Sequence, residues 1–479
     1  MLTSDSLSQL YDSQDQDQTS PLLLKTDASD ALAVGPVHRR LKIAIVSLIC
    51  LLILAIASIV IGTILGYQHG LKVSQEESFP DLHDCSGHGI RQPDTYECAC
   101  WDCFSGQECE VESPVLNSTV DVAVADAGIF EQYFERPLQP AWSTTTPPWY
   151  RPPYMPPPTY PPSSSSLANL SATILQELHQ SVNNTITKER SLIMGDGATQ
   201  VIQAIIFGIS QLAGKPMWVF ARAPYYPSFV RYASRNPSYS LGFSNRTDLD
   251  PDSVIEIVTW PNNPDGRYWD PVYPSARRII DAVYYWPSTA GTVASTGEVG
   301  VLSPIEEDNV VFSSSKLSGH ASSRIGWAWI RDPLLVLSSS DYLRMDTGGL
   351  ASEALWRQLR IMGQLTKQPL NDASGFHGYS SRTLIARWQI IQKLLSSHPA
   401  TGFQLHSLPN TWFAWVSCPL SVHSPPKSCG EIFLEAGIRG RFGNGEMGID
   451  GFVRLNLNIR DSSFERLIIL LERLFSTSV

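Results

Sequence analysis

The chain is predicted to be an α/β protein built on a mostly parallel, doubly wound sheet with a smaller C-terminal lobe. Two observations carry this. From Leu170 onward, short apolar β-branched runs alternate with helical stretches, the texture of βα units. The chain also has 479 residues, 43% of them hydrophobic and 17% charged, enough for a large core and two or three units. The net charge of −11 gives no polyanion-binding footprint, so nucleic acid is not an expected partner.

In chain order, residues 1–41 are polar and low in aromatics and read as a disordered cytosolic tail. The stretch Ile43 to Tyr67, "IAIVSLICLLILAIASIVIGTILGY", has no charge and is long enough to cross a bilayer, which needs about 20 such residues. It starts too far from Met1 for a simple cleaved leader. Arg39, Arg40 and Lys42 precede it, whereas Glu76 and Glu77 follow Lys72. The bias predicts a single-pass anchor over 42–67 with everything after it lumenal or extracellular, a type II topology in the secretory pathway. Sequons at Asn117, Asn169, Asn183 and Asn245 all fall on that side. So do all cysteines but Cys50, five of them packed between Cys85 and Cys109. In an oxidising compartment such a cluster over 80–112 reads as a disulfide-stapled module, with zinc ligation the alternative. Residues 113–168 form an arm and a linker whose "PLQPAWSTTTPPWYRPPYMPPPTYPP" favours extended polyproline conformations.

The large domain is expected over 169–350, with strands "SLIMG", "PMWVFA", "VIEIVTW", "RRIIDAV", "NVVFSS" and "RIGWAWI" and a helix at "TQVIQAIIFGISQLAG". "ASEALWRQLRIMGQL" and the amphipathic "SSFERLIILLERLF" are helices of a small lobe over 351–479.

Ligands of open α/β sheets bind beyond the carboxyl ends of the strands, so the residues following each strand matter most. "GDGATQ" places Gly195 and Gly197 at a helix start, where free N–H groups suit an anion. "APYYP" offers Tyr225 and Tyr226 for stacking, "PNNPDG" offers the amides of Asn262 and Asn263, and "DAVYY" offers Asp281 and Tyr284. "SSSKLSGHASSR" carries Ser313, Ser315, Lys316 and Arg324. An anion cradle, a stacking ring, amide donors, a carboxylate and an amine together fit pyridoxal phosphate, which needs a lysine, a carboxylate at its ring nitrogen, and donors for its phosphate and phenolate oxygens.

The order and spacing resemble fold-type I aminotransferases. "PNNPDG", "DAVYYWP" and "SKLSGHASSRIGWA" resemble the C-terminal domain of plant alliinases and tryptophan aminotransferase-related proteins, and the cysteine spacing at 85–109 resembles the EGF-like module preceding it. The resemblance implies that Lys316 forms the Schiff base and shuttles the proton. It also implies that Asp281 binds the pyridine nitrogen, Asn263 and Tyr284 the phenolate oxygen, and Tyr226 stacks on the ring. Gly197, Ala198 and Thr199 with Ser313, Ser315 and Arg324 would hold the phosphate. Arg454, in preference to Arg460, would fork the substrate α-carboxylate. Cys85–Cys98, Cys100–Cys109 and Cys418–Cys429 would pair, leaving Cys103 over. The implied partners are an amino acid, a 2-oxo acid and a second copy of the chain. The sequence departs from that pattern at Ala198, usually serine, and at Ala125-Asp126-Ala127, usually Gly-Asp-Pro. Three functions compete: transfer of an aromatic L-amino acid's amino group to a 2-oxo acid such as pyruvate, carbon–sulfur lysis of S-alkyl cysteine sulfoxides, and a non-catalytic, membrane-tethered interaction role. The retained Lys316, Asp281, Tyr284 and Arg324 argue against the last.

Overall fold

The computed structural model describes residues 84–477 except 93–94, 96, 101–103, 113–118, 126, 137–141, 143, 145–165, 185, 187, 235–240, 290–308, 371, 420–426 and 444–446. The tail, the anchor expected over 42–67, Cys103 and all but two residues of the proline-rich run lie outside the described residues. Among those described, no helix is long and apolar enough to cross a membrane.

The chain divides into two units, the first ending at Cys100 and including 107–109, the second comprising 101–106 and 110–479. In the first, β1 (Gly89–Arg91) and β2 (Cys98–Cys100) form an antiparallel hairpin with Ile90 opposite Ala99. Disulfides Cys85–Cys98 and Cys100–Cys109 staple it. The sulfurs of Cys85, Cys98 and Cys109 cluster within 4.8 Å, but they are consumed in these bonds, which removes the thiolates that zinc would need.

The second unit opens with β3 (Phe104–Ser105), β4 (Val111–Glu112), β5 (Val120–Asp121), α1 (Gly128–Phe134) and α2 (Ser166–Ser181). There follow β6 (Ser191–Asp196), α3 (Gly197–Ala213), β7 (Met217–Phe220), α4 (Ser228–Ser234), β8 (Leu241–Ser244), β9 (Val254–Thr259), β10 (Arg277–Asp281), β11 (Asn309–Ser313), α5 (Ser314–Leu317) and β12 (Ile325–Ile330). These strands make a seven-stranded sheet in the order β6-β12-β11-β10-β9-β7-β8, parallel throughout except for β12, which runs against both neighbours. Strands β9, β11 and β12 are buried along their whole length, as continuous apolar runs covered on both faces must be. Glu256, the charged exception in β9, accepts the N–H groups of Val272 (2.6 Å) and Tyr273 (3.1 Å). One face packs Val201, Ile205 and Ile209 of α3 against Leu335 and Leu343 of α6 (Pro333–Thr347). The other buries Trp286, Phe312 and Trp327 around His179 of α2, whose Nε2 accepts the Trp327 indole N–H at 3.1 Å. Burial pushes this imidazole's pKa down to about 3, so it stays neutral.

Beyond α6 come α7 (Ser352–Leu365), α8 (Phe376–Ser397), β13 (Gln404–Leu405), β14 (Phe413–Ser417), α9 (Cys429–Glu435), β15 (Ile438–Arg439), β16 (Arg441–Phe442), β17 (Phe452–Asn456) and α10 (Asp461–Thr477). A four-stranded antiparallel sheet, β13-β14-β17-β16, forms the floor of the lobe, and the Cys418–Cys429 disulfide links the end of β14 to the start of α9. Helix α10 buries Phe464, Leu467, Leu471 and Leu474 and leaves Ile469 exposed, the stripe its periodicity predicts. The arm strand β5 pairs in parallel with β15, Val120 opposite Ile438, which brings the N-terminal arm onto the C-terminal lobe.

Candidate active site

The carboxyl ends of β6, β9, β10 and β11 open into a cavity of about 360 Å³ that the C-terminal lobe closes with Arg441 and Arg454. Its first wall is the start of α3. Gly197 turns the chain there with φ +71° and donates its N–H to the Arg324 carbonyl at 2.8 Å. That φ favours glycine, and a Cβ there would stand 2.2 Å from Arg324 Nη2, so a side chain would push the guanidinium aside. Gly326 of β12 is held more tightly, since its Cβ would fall 2.3 Å from the Ala198 nitrogen, a backbone atom that cannot step aside. The first N–H groups of α3 therefore face the cavity beside the Arg324 guanidinium, which donates to the carbonyls of Ala321 (3.1 Å) and Asp196 (3.2 Å). Ser313 completes this cup. Its hydroxyl accepts the Ser315 N–H at 3.1 Å and lies 3.0 Å from Ser315 Oγ.

The opposite end is built around Arg454. Buried in the middle of β17, it donates from Nη1 to Asn263 Oδ1 at 2.8 Å and from Nη2 to the Ala123 carbonyl, and packs 4.2 Å over the Phe413 ring. Burial, with Arg441 nearby, lowers its pKa to about 10, still well above neutrality. Asn263 uses its other face to donate to Tyr284 Oη at 3.5 Å. Burial raises the Tyr284 phenol and keeps it protonated.

Between these ends stand the carboxylate and the amine. Asp281, at the end of β10, is 5% exposed, and its carboxylate accepts a long hydrogen bond from the Val283 N–H (3.4 Å). Burial pushes its pKa up to about 7, only partly offset by that N–H and by the Lys316 charge. Such a carboxylate has acceptor capacity to spare and suits a cationic N–H partner. Lys316 leaves the single turn of α5, donates to the Ala125 carbonyl at 2.7 Å, and lies 5.1 Å and 5.8 Å from the ring centroids of Trp412 and Tyr284.

The cavity thus brings together Ala198, Thr199, Tyr226, Asn263, Asp281, Tyr284, Ser313, Ser315, Lys316, Arg324 and Arg454, with Gly197 behind them shaping the cup. Of the paired candidates, Tyr225 instead packs on Phe243, and Asn262 turns away to Pro224 O (3.0 Å) and Asp265 Oδ1 (2.9 Å). Arg460 stays outside, paired with Glu131 (2.9 Å), Glu135 (2.7 Å) and Glu112 (3.3 Å). Sequence reading missed Tyr232, Thr259 and Arg441 in the lining. Thr259 could have been found as the last residue of β9, directly opposite Asp281 in register, whereas nothing local marks the other two.

The donor set fits pyridoxal phosphate. The turn at Gly197 and the α3 N-terminus suit a phosphate, the under-satisfied Asp281 suits a protonated ring nitrogen, and Asn263 and Tyr284 suit a phenolate oxygen. A family model described as allinase matches residues 120–475. The chain is 31% identical over 430 residues to tryptophan aminotransferase-related protein 3 of Arabidopsis thaliana, covering 82% of this chain and 87% of the relative. It is 27% identical over 431 residues to an alliin lyase of Allium cepa var. aggregatum, covering 83% and 92%. Among solved structures, the aspartate aminotransferase of Thermus thermophilus with maleate aligns with a TM-score of 0.51 at 18% identity, covering 74% of this chain and 92% of that one, a likeness of fold.

Proposed function

The chain belongs to the alliinase family, and on that premise we propose that it transfers the amino group of an aromatic L-amino acid to a 2-oxo acid such as pyruvate. Membership makes it a pyridoxal-phosphate-dependent enzyme, a transaminase or a carbon–sulfur lyase. The observation that carries the reading is the convergence of the Lys316 amine, the buried Asp281 carboxylate and the Arg454 guanidinium in one cavity. The greater identity to a tryptophan aminotransferase-related protein than to an alliin lyase favours transfer.

The bound cofactor supplies an electron sink for charge developing at the substrate α-carbon. Asp281 keeps its ring nitrogen protonated, and the low-dielectric surroundings of that carboxylate strengthen the pairing. Tyr226 stacks on the ring, while Asn263 and Tyr284 donate to the phenolate oxygen. The α3 N-terminus, Ser313, Ser315 and Arg324 anchor the phosphate. Arg454 forks the substrate α-carboxylate with two parallel N–H donors, which fixes the α-carbon beside Lys316. Lys316 Nζ would take the proton from that carbon and, in transfer, return it two bonds away, to the carbon on the other side of the amino nitrogen. The Trp412 and Tyr284 rings stand beside this amine, at 5.1 Å and 5.8 Å from their centroids.

The test is product analysis of the purified protein. Transfer predicts a new amino acid formed from an aromatic donor and pyruvate, with Lys316→Ala abolishing both turnover and the cofactor's visible absorbance. Pyruvate and ammonia released from an S-alkyl cysteine sulfoxide, without transfer, would establish the lyase reading that the similarity to alliin lyase also supports. The reading includes a homodimer and a membrane anchor at 42–67 with the catalytic part on the lumenal side. The disulfides and the exposed sequon residues Asn169, Asn183 and Asn245 support that placement.

A further inference from the structure

We propose that Val124 reads the substrate side chain and sets the enzyme's preference for apolar over acidic amino acids. The inference rests on the amino-acid reading of Lys316 and Arg454. The arm that follows β5 reaches the cavity at Val124 and Ala125, with the carbonyls of residues 123–125 committed. Ala123 O accepts from Arg454 Nη2, Val124 O accepts from Asn456 Nδ2 at 3.0 Å, and Ala125 O accepts from Lys316 Nζ at 2.7 Å. Main-chain bonds extend the anchoring, since Val122 N donates to Arg439 O (2.9 Å) and Asn456 N donates to Val122 O (3.0 Å). The arm is therefore fixed at successive residues, and the direction of residue 124 with it.

Those bonds also locate Val124 relative to a substrate. Arg454 takes the α-carboxylate and Lys316 serves the α-carbon, and their arm partners are the two residues flanking Val124. The position between them faces the substituent left over at a substrate α-carbon, its side chain. Val124 lines the cavity and yet is 64% exposed, an isopropyl group presented to whatever enters and not packed into the core. Ala125, the next residue, also lines the cavity with an apolar side chain. An aromatic or alkyl side chain gains contact with Val124, whereas a carboxylate set against this isopropyl group would give up water there and receive no donor from it.

The experiment titrates the holoenzyme with two unreactive acids, 3-phenylpropanoate and glutarate, following the cofactor absorbance and tryptophan fluorescence. The wild type should prefer 3-phenylpropanoate. Val124→Lys, which supplies a donor and a positive charge where the second carboxylate of glutarate would lie, should reduce that preference roughly tenfold or more, the range in which a pocket senses small changes in contact. Val124→Ala should move it the same way by less. An unchanged preference in Val124→Lys overturns the proposal, as does an equal loss of affinity for both acids, which would mean that residue 124 only holds the arm in place. Failure of the wild type to bind either acid, or equal affinities in Arg454→Lys and wild type, would instead overturn the reading of the site on which the proposal rests.

Discussion

Replacing Asp281 by asparagine should make the cofactor-free protein more stable, and only above acid pH. The carboxyl titrates at 3.8 in the unfolded chain and at about 7 in the fold, with burial the main cause. Between those values the folded state holds a proton that the unfolded state has released, so this group's contribution to stability falls as pH rises. At roughly 1.4 kcal/mol per pH unit, the full penalty by pH 8 is about 4 kcal/mol. Asparagine matches the shape, retains an oxygen for the Val283 N–H (3.4 Å), and carries no charge at any pH. Urea unfolding of the cofactor-free wild type and variant should therefore coincide near pH 4 and diverge steadily to about 4 kcal/mol near pH 8, the variant being the more stable. The buried neutral histidines His179 and His377 add their own acid-side dependence, but equally to both proteins. With cofactor bound the order should reverse at neutral pH, because asparagine cannot pair with a protonated ring nitrogen. A stability difference that did not change with pH would refute the reasoning, since it would mean that packing and not charge burial separates the two.

Arg454→Lys should raise the apparent Michaelis constant for every amino acid and 2-oxo acid, by about 2–5 kcal/mol of lost binding, and leave the cofactor spectrum intact. Arg460→Lys, outside the cavity among three glutamates, should do much less, and steady-state kinetics of the pair check the assignment. Gly197→Ala should weaken pyridoxal phosphate far more than unphosphorylated pyridoxal, because the φ of +71° resists a side chain and the added methyl displaces the Arg324 guanidinium from the phosphate cup; equilibrium dialysis of the two vitamers measures this. Deglycosylation should increase gel mobility, and mapping should find glycans at exposed Asn245, whereas an unmodified protein from its native membrane would reverse the proposed topology.

The sheet was legible where burial on both faces forces continuous apolar runs, as in "VIEIVT" and "NVVF". It was not legible at the edge, where β8 is four residues of "LGFS" with a glycine lying against the Trp218 ring. Helix α6 begins "PLLVL", which has the look of a strand; its Asp332 cap, accepting the Leu334 N–H at 2.9 Å, is what starts it as a helix. The site was legible because strand ends are where chain direction alone predicts a ligand. Tyr232 comes instead from the inner face of α4, and Arg441 from a two-residue strand whose register with Arg454 is a tertiary fact. Nor could the "PNNPDG" turn reveal which asparagine faces inward. That depends on Asp265 and the Pro224 carbonyl capturing Asn262.

The arm that reaches the cavity ties residues very distant along the chain: Ala123 to Arg454 across 331 positions, and Ala125 to Lys316 across 191. During synthesis the N-terminal part emerges first and domains tend to form in that order. The strands that lead into Asp281 and Lys316 can pair while the ribosome is still reading the codons for β17, but the arm then has only Lys316 and β15 to settle on until Arg454 and Asn456 have emerged. A nascent chain consequently passes through a stage with a reactive lysine in place and no carboxylate fork beside it. Premature termination anywhere upstream of residue 454 leaves the arm without Arg454 and Asn456 to hold it, as well as the lobe incomplete, so a short loss at one end of the gene dismantles structure encoded near the other.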